Sequence, residues 1–213
     1  MKGKKGFLIT IEGPEGSGKT TLSKELHRLL KKKGHPVFLT HEPGASSLGK
    51  ELRKILLHSS QEGKVSPLAE LFLFEADRAQ HVEEVILPLF NQGKIVLCCR
   101  FYDSTTAYQG YGRGFDFKMV QQLNQIAARG LTPDLTLLLD ISPRKGLPRV
   151  WKARGHQDRI ESEKIVFHDR LRRGFLDLAK KNPRRFRVID ASQGFGEVRK
   201  EAMGYLETLL KSK

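Results

Sequence analysis

The chain has 213 residues, enough for one domain, 1–213, with a sizeable core. Its 38 lysines and arginines exceed its 24 acids, a net charge of +14 that suits a handler of nucleic acid or of several phosphates at once. No apolar run approaches the ~20 residues of a membrane helix, and Phe7–Ile11 is too short for the apolar core of a secretory signal.

In chain order, Phe7-Leu8-Ile9-Thr10-Ile11 reads as a short buried strand. Gly13-Pro14-Glu15-Gly16-Ser17-Gly18-Lys19-Thr20 follows it and fits G-x-x-x-x-G-K-[ST], a loop whose backbone N–H groups wrap the phosphates of a nucleotide. The lysine of such a loop, Lys19, reaches the β- and γ-phosphates, and the hydroxyl of Thr20 holds Mg²⁺. Thr20–Lys33 reads as a helix with Leu22, Leu26, Leu29 and Leu30 on one face. Its N-terminus adds a positive dipole end to the anion site, so the predicted donor-binding segment runs from Gly13 to Thr21.

Val37–Thr40 is a second strand and Ser46–His58 a helix, and Pro67 opens a longer helix towards Phe90. Ile95–Cys98, Leu135–Leu139 and Phe186–Ile189 are three further strands, and Glu197–Leu210 is an amphipathic helix. Five apolar strands separated by helices predict an α/β fold with a five-stranded parallel sheet covered on both faces. Cys98 and Cys99 are adjacent, unsuited to an ordinary disulfide, and point to a reducing, cytoplasmic setting. Lys31-Lys32-Lys33 and Pro183-Arg184-Arg185 read as solvated helix ends, where cations meet the negative end of the dipole. No aromatics interleave with them as a nucleic-acid stacking platform needs.

Three more segments carry polar hardware. Glu42-Pro43-Gly44 follows the second strand, at the sheet edge where such folds bind ligands. Phe74 and Arg78 share a helix face, where a ring and a guanidinium could stack on a base and bond its edge; alone, Phe74 reads as core. Arg100–Gly114 offers hydroxyls, an amide, two arginines and flexible glycines, more than a plain connection needs. Between two helices, Arg144, Lys145, Arg149, Lys152, Arg154 and Arg159 form a basic cluster: an exposed helix face, or cations for phosphoryl transfer.

With these motifs in order over nearly the whole length, the chain resembles the thymidylate kinase family, P-loop nucleoside monophosphate kinases that convert dTMP to dTDP. The matched segments are the P-loop, Glu42-Pro43-Gly44, the Phe74/Arg78 helix, Arg100–Gly114 and Arg149–Glu161. The resemblance implies a three-layer P-loop fold with a helical lid at about residues 143–159, ATP as donor, Mg²⁺, and a homodimer; no nucleic acid or membrane partner is expected. It implies that Phe74 stacks on thymine, that Arg78 bonds the base, and that Arg100, assisted by Arg53, holds the monophosphate. Thr105 and Gln109 then contact base or sugar, and Tyr108 lies under the deoxyribose and disfavours a 2′-hydroxyl. Glu15 stands near the sugar and the transferring phosphate, Glu42 and Pro43 line the acceptor site, and Glu161 anchors the lid or contacts substrate. The P-loop carries no arginine, which resembles the bacterial-type members and makes Arg149 and Arg154 the catalytic lid cations beside Lys19, Glu15 and Arg100.

Three positions depart from the family pattern: Cys99 where Asp is usual, His41 where Arg often precedes Glu-Pro-Gly, and Ala45 where a second glycine is usual. Cys99 follows a buried strand, where an acid would approach the metal. Its loss need not abolish chemistry, because a phosphate acceptor with a second pKa of about 6 needs no general base at neutral pH. A binding protein with weak or no turnover is the alternative, and a kinase for another acceptor such as dUMP a second. No N-K-x-D guanine motif supports a GTPase.

Overall fold

The computed structural model describes residues 6–58, 65–156 and 158–211, without the side chains of His58 and Arg154. The elements are β1 (Phe7–Glu12), α1 (Lys19–Lys32), β2 (Val37–His41), α2 (Ser47–His58), α3 (Pro67–His81), α4 (Leu87–Asn91), β3 (Ile95–Cys99), α5 (Tyr102–Thr105), α6 (Phe117–Ala127), β4 (Leu135–Asp140), α7 (Pro143–Arg154), α8 (Ile165–Lys181), β5 (Phe186–Asp190) and α9 (Phe195–Lys211). The predicted five-stranded parallel sheet is present, in the order β2-β3-β1-β4-β5.

β1 is central, and all six of its residues are buried. Alternation sends Phe7, Ile9 and Ile11 to one face, against Leu22, Leu26 and Leu30 of α1 and Val198, Ala202 and Leu206 of α9. Leu8 points the other way, into a cluster with Val96, Phe101 and Ile86. A third cluster joins Leu138 and Phe186 to Leu171, Phe175 and Leu178 of α8. Each fully buried leucine contributes about 1.5–3 kcal/mol of transfer free energy. The sheet is therefore pinned from both faces, and its carboxyl ends form a rigid rim for the loops that follow.

The helix predicted from Pro67 towards Phe90 begins with Ser66 capping the N–H of Ala69. It does not stay α-helical: Val82–Ile86 widens to π-helical spacing before α4. Pro88 cannot donate to the carbonyl four residues back, and the ladder widens just ahead of it. The segment expected as a polar connection with flexible glycines is also helical, α5 running into π-helical Thr106–Gly112. Two of its glycines, Gly110 and Gly112, serve close packing rather than flexibility. A Cβ at Gly110 would lie 2.8 Å from the ring of Phe117, and one at Gly112 would lie 2.6 Å from the ring of Phe167. The basic cluster expected between two helices is itself mostly helix α7, with Pro143 in its first turn.

Arg185 corrects the solvated-end reading of its run. It makes a bidentate pair with buried Asp103, 2.7 and 2.8 Å, and donates to Thr136 Oγ1, tying β5 to α5 and β4.

Candidate active site

The loop between β1 and α1 turns on glycines with positive φ: Gly13 at 143°, Gly16 at 69° and Gly18 at 90°. At Gly16 the need is also steric, because a Cβ there would meet the carbonyl oxygen of Gly146 at 2.0 Å. The P-loop thus touches the base of α7 backbone to backbone. Lys19 Nζ donates to the carbonyls of Gly13 and Pro14 at 2.8 and 2.7 Å, and to Ser17 Oγ at 3.3 Å. Burial, with Arg100 nearby, pushes its ammonium pKa down to about 8.

In front of this loop lies a cavity of about 610 Å³ at the carboxyl rim of the sheet. It brings together Glu15, Gly16, Gly18, Lys19, Thr20 and Thr21 of the predicted donor segment. On its other wall are Glu42, Pro43, Arg53, Phe74, Arg78 and Arg100, with Thr105, Tyr108, Gln109 and Glu161 completing the predicted acceptor set. Gly13, Pro14 and Ser17 form the buried back of the loop. Phe74 is half-buried and faces the cavity, so it is not a core residue.

Arg78 is only 2% exposed and almost fully committed. Its Nε donates to Glu42, Nη1 to Glu75 and Asn124, and Nη2 to Thr105 Oγ1. Glu42 is in turn paired with His81, whose other ring nitrogen bonds Thr40 Oγ1 at 2.7 Å. Glu42, His81 and Cys98 lie close enough to hold a cation, but the carboxylate and both ring nitrogens are already spent on aiming Arg78. Asp77 holds the Glu-Pro-Gly turn through the N–H of Gly44, and Arg53 Nη1 donates to the carbonyl of Pro43.

Arg100 follows β3 with a left-handed backbone, φ 69°. Its guanidinium lies 5.1 Å above the ring of Tyr108 and donates to Ser104 Oγ and to Glu15 Oε1. The hydroxyl of Tyr108 donates to the same Glu15 oxygen. Burial raises the Glu15 pKa, but His168, Arg100 and Lys19 outweigh it and bring it to about 2. Behind Arg100, Glu12 accepts from the N–H of Phe101 and the hydroxyl of Ser104, while burial and Asp103 push it up to about 7. Cys99 sits beside Lys19 and Thr20, and burial pushes its thiol pKa up, so it is neutral at pH 7. His41, another departure, lines the cavity, and burial and Arg53 push its pKa down.

The segment expected to form a lid is divided. Arg149 donates to the carbonyl of Ala191 beyond β5 and does not line the cavity, while the side chain of Arg154 lies outside the described residues. Glu161 caps the N–H of Asp158. Arg159, expected as part of a basic cluster and of the matched segment Arg149–Glu161, pairs with buried Glu70, as does Arg113. Gln109 also donates to Glu70, so this carboxylate clamps three segments.

Sequence reasoning missed Glu12, Glu70, His81 and His168. Only His168 left a signal: it sits on the apolar stripe of α8 with Leu171, Phe175 and Leu178 at helical spacing.

The thymidylate kinase family model matches residues 11–202. A thymidylate kinase of Carboxydothermus hydrogenoformans is 49% identical over 96% of this chain and 98% of its own length. One from Syntrophotalea carbinolica is 49% identical over 90% and 91%. The crystal structure of thymidylate kinase from Ehrlichia chaffeensis superposes with a TM-score of 0.76 at 36% identity, covering 95% of this chain and 99% of that one. With its P-loop, its parallel sheet and matches of this extent, the chain belongs to the thymidylate kinase family.

Proposed function

We propose that the protein transfers the γ-phosphoryl group of ATP to dTMP, giving dTDP and ADP. The observation that carries this reading is one cavity with Lys19 of the P-loop at one end and the Phe74/Arg78 pair at the other, with Arg100 between them. Phe74 stacks on thymine, and Arg78, held by four partners, offers its remaining N–H to a base oxygen. Tyr108 supports the deoxyribose; Thr105 and Gln109 line the same end. Arg100, with Arg53, holds the acceptor phosphate in line with the donor. No side chain need remove a proton, because the acceptor is already a dianion at neutral pH. Rate then comes from positioning and from cations placed where negative charge develops: Lys19 and Arg100, joined by the predicted lid residues Arg149 and Arg154 once Arg149 leaves the carbonyl of Ala191.

Mg²⁺, when bound, neutralises the donor phosphates. The Thr20 hydroxyl, a hard oxygen donor at the mouth of α1, is the residue that would hold it, and the neutral Cys99 thiol beside it is not a ligand for so hard a cation. We also infer a homodimer: Leu48 and Ile55 of α2, Leu68 and Phe72 of α3 and Ile126 of α6 are exposed apolar residues on adjacent helices. Sedimentation of the pure protein checks it.

The test is coupled ADP release from ATP and Mg²⁺ with dTMP, beside dUMP, dCMP, dGMP and no acceptor, with Cys99→Asp run in parallel. Selective turnover of dTMP supports the reading. A native chain without turnover beside an active Cys99→Asp variant would make the protein a nucleotide binder instead.

A further inference from the structure

Glu15 has two oxygens with different neighbours. Oε1 takes the donors of Tyr108 and Arg100. Oε2 is buried and has no hydrogen-bond partner among the described residues, yet Nδ1 of His168 faces it at 3.4 Å. His168 is 1% exposed, on the first turn of α8, and it belongs to no part of the phosphoryl-transfer scheme above.

The charges around this pair define its task. The groups facing Glu15 are His168, Arg100, Lys19 and Tyr108. Those facing His168 are Glu15, the backbone of Glu161 and the carboxylate of Glu163. When an acceptor phosphate takes Arg100 and a donor phosphate takes Lys19, two of the cations that stabilise Glu15 acquire new partners. A buried carboxylate left without a cation protonates or swings away. Among the described residues, His168 is the remaining basic group facing Glu15 that no substrate claims. Burial opposes its charge, but contact with Glu15 dominates and raises its pKa.

Resting on the reading of Arg100 as the holder of the acceptor phosphate, we propose that His168 is the positioning residue that fixes Glu15 while Arg100 passes from Glu15 to the substrate. It acts through Glu15 and touches neither substrate. Because its ring also meets the backbone of Glu161, it joins the P-loop acid to the segment that leads out of the lid.

The test is a double-mutant cycle of His168→Gln and Glu15→Gln, read as kcat with saturating dTMP and ATP from pH 6 to 9. The expected result is that His168→Gln lowers kcat about tenfold at pH 7 with little change in KM for ATP. The loss grows as pH falls, where Glu15 without His168 takes up a proton, and narrows as pH rises and the native ring loses its own proton. In the Glu15→Gln background the same change costs less than about twofold. Equal losses at every pH, or losses that multiply in the double variant, would overturn the proposal. Should the native chain not phosphorylate dTMP, the functional reading fails by itself. Nitrogen NMR of the His168 ring in the native protein then decides the pairing. An imidazolium at pH 7 that Glu15→Gln converts to neutral imidazole supports it, and a neutral ring in the native chain overturns it.

Discussion

Replacing Arg78 with Met probes whether the arginine proposed to read the base is also a keystone of the fold. Its guanidinium is 2% exposed and sits between Glu42 and Glu75, which are 5% and 6% exposed. Methionine fills much of the volume but leaves two buried carboxylates without their shared cation. Breaking a buried pair in this way costs about 3–5 kcal/mol. For a domain of this size each kcal/mol moves the melting temperature by roughly 2–4 °C, so Arg78→Met should melt about 6–20 °C below the native chain at pH 7.5. Acidification should shrink the deficit. Burial already pushes the Glu75 carboxyl up and Arg78 holds it down, so losing Arg78 raises it further, and a raised carboxyl destabilises the fold as pH climbs past its unfolded value. Phe74→Ala, one turn away and half-buried, is the control: it should lose dTMP binding while costing only about 1–2 kcal/mol. Calorimetry at pH 5.5 and 7.5, with dTMP titrations of both variants, measures all of this. An Arg78→Met protein melting within about 2 °C of native, or with a deficit independent of pH, would refute the reasoning.

Glu12→Gln should flatten the pH dependence of stability. The folded carboxyl, at about 7, keeps a proton that an unfolded one loses near 4.5, so the native chain loses about 3 kcal/mol as pH rises through that window. Thermal melts at pH 5 and pH 8 should differ less for the variant, and equal differences would count against a protonated Glu12. Gly146→Ala places a methyl 2.2 Å from the carbonyl oxygen of Glu15 and pushes α7 off the P-loop. Overpacking of this kind costs roughly 1–3 kcal/mol, so the melting temperature should fall by roughly 2–12 °C while steady-state kinetics show KM for ATP rising about tenfold.

What the sequence made legible follows from how local each signal is. The P-loop and the five strands were readable because a glycine spacing or an apolar run is contained in a few neighbouring residues. The bend at Val82–Ile86 and the helix through Gly112 were not, because π-spacing depends on what a proline or a packed ring does to the backbone ladder. Residues with a motif were named at the outset, and the structure gathers most of them at one cavity. Their supports were invisible. Arg185 finds Asp103 across 82 positions of sequence, and Ser104 finds Glu12 across 92. No pattern short of the folded topology brings such partners together. Arg149 shows the converse: a residue named from a motif can rest on a distant carbonyl, here that of Ala191.

Arg100 carries a cost that its chemistry conceals. A side-chain-bearing residue at φ 69° is strained by roughly 1–2 kcal/mol relative to glycine, yet glycine could not supply a guanidinium. A glycine there would relieve the strain but leave the buried Glu15 carboxylate short of a cation, a larger loss than the strain it removes. The awkward backbone at Arg100 is thus offset within the fold itself, by the pairs that its own guanidinium makes with Glu15 and Ser104.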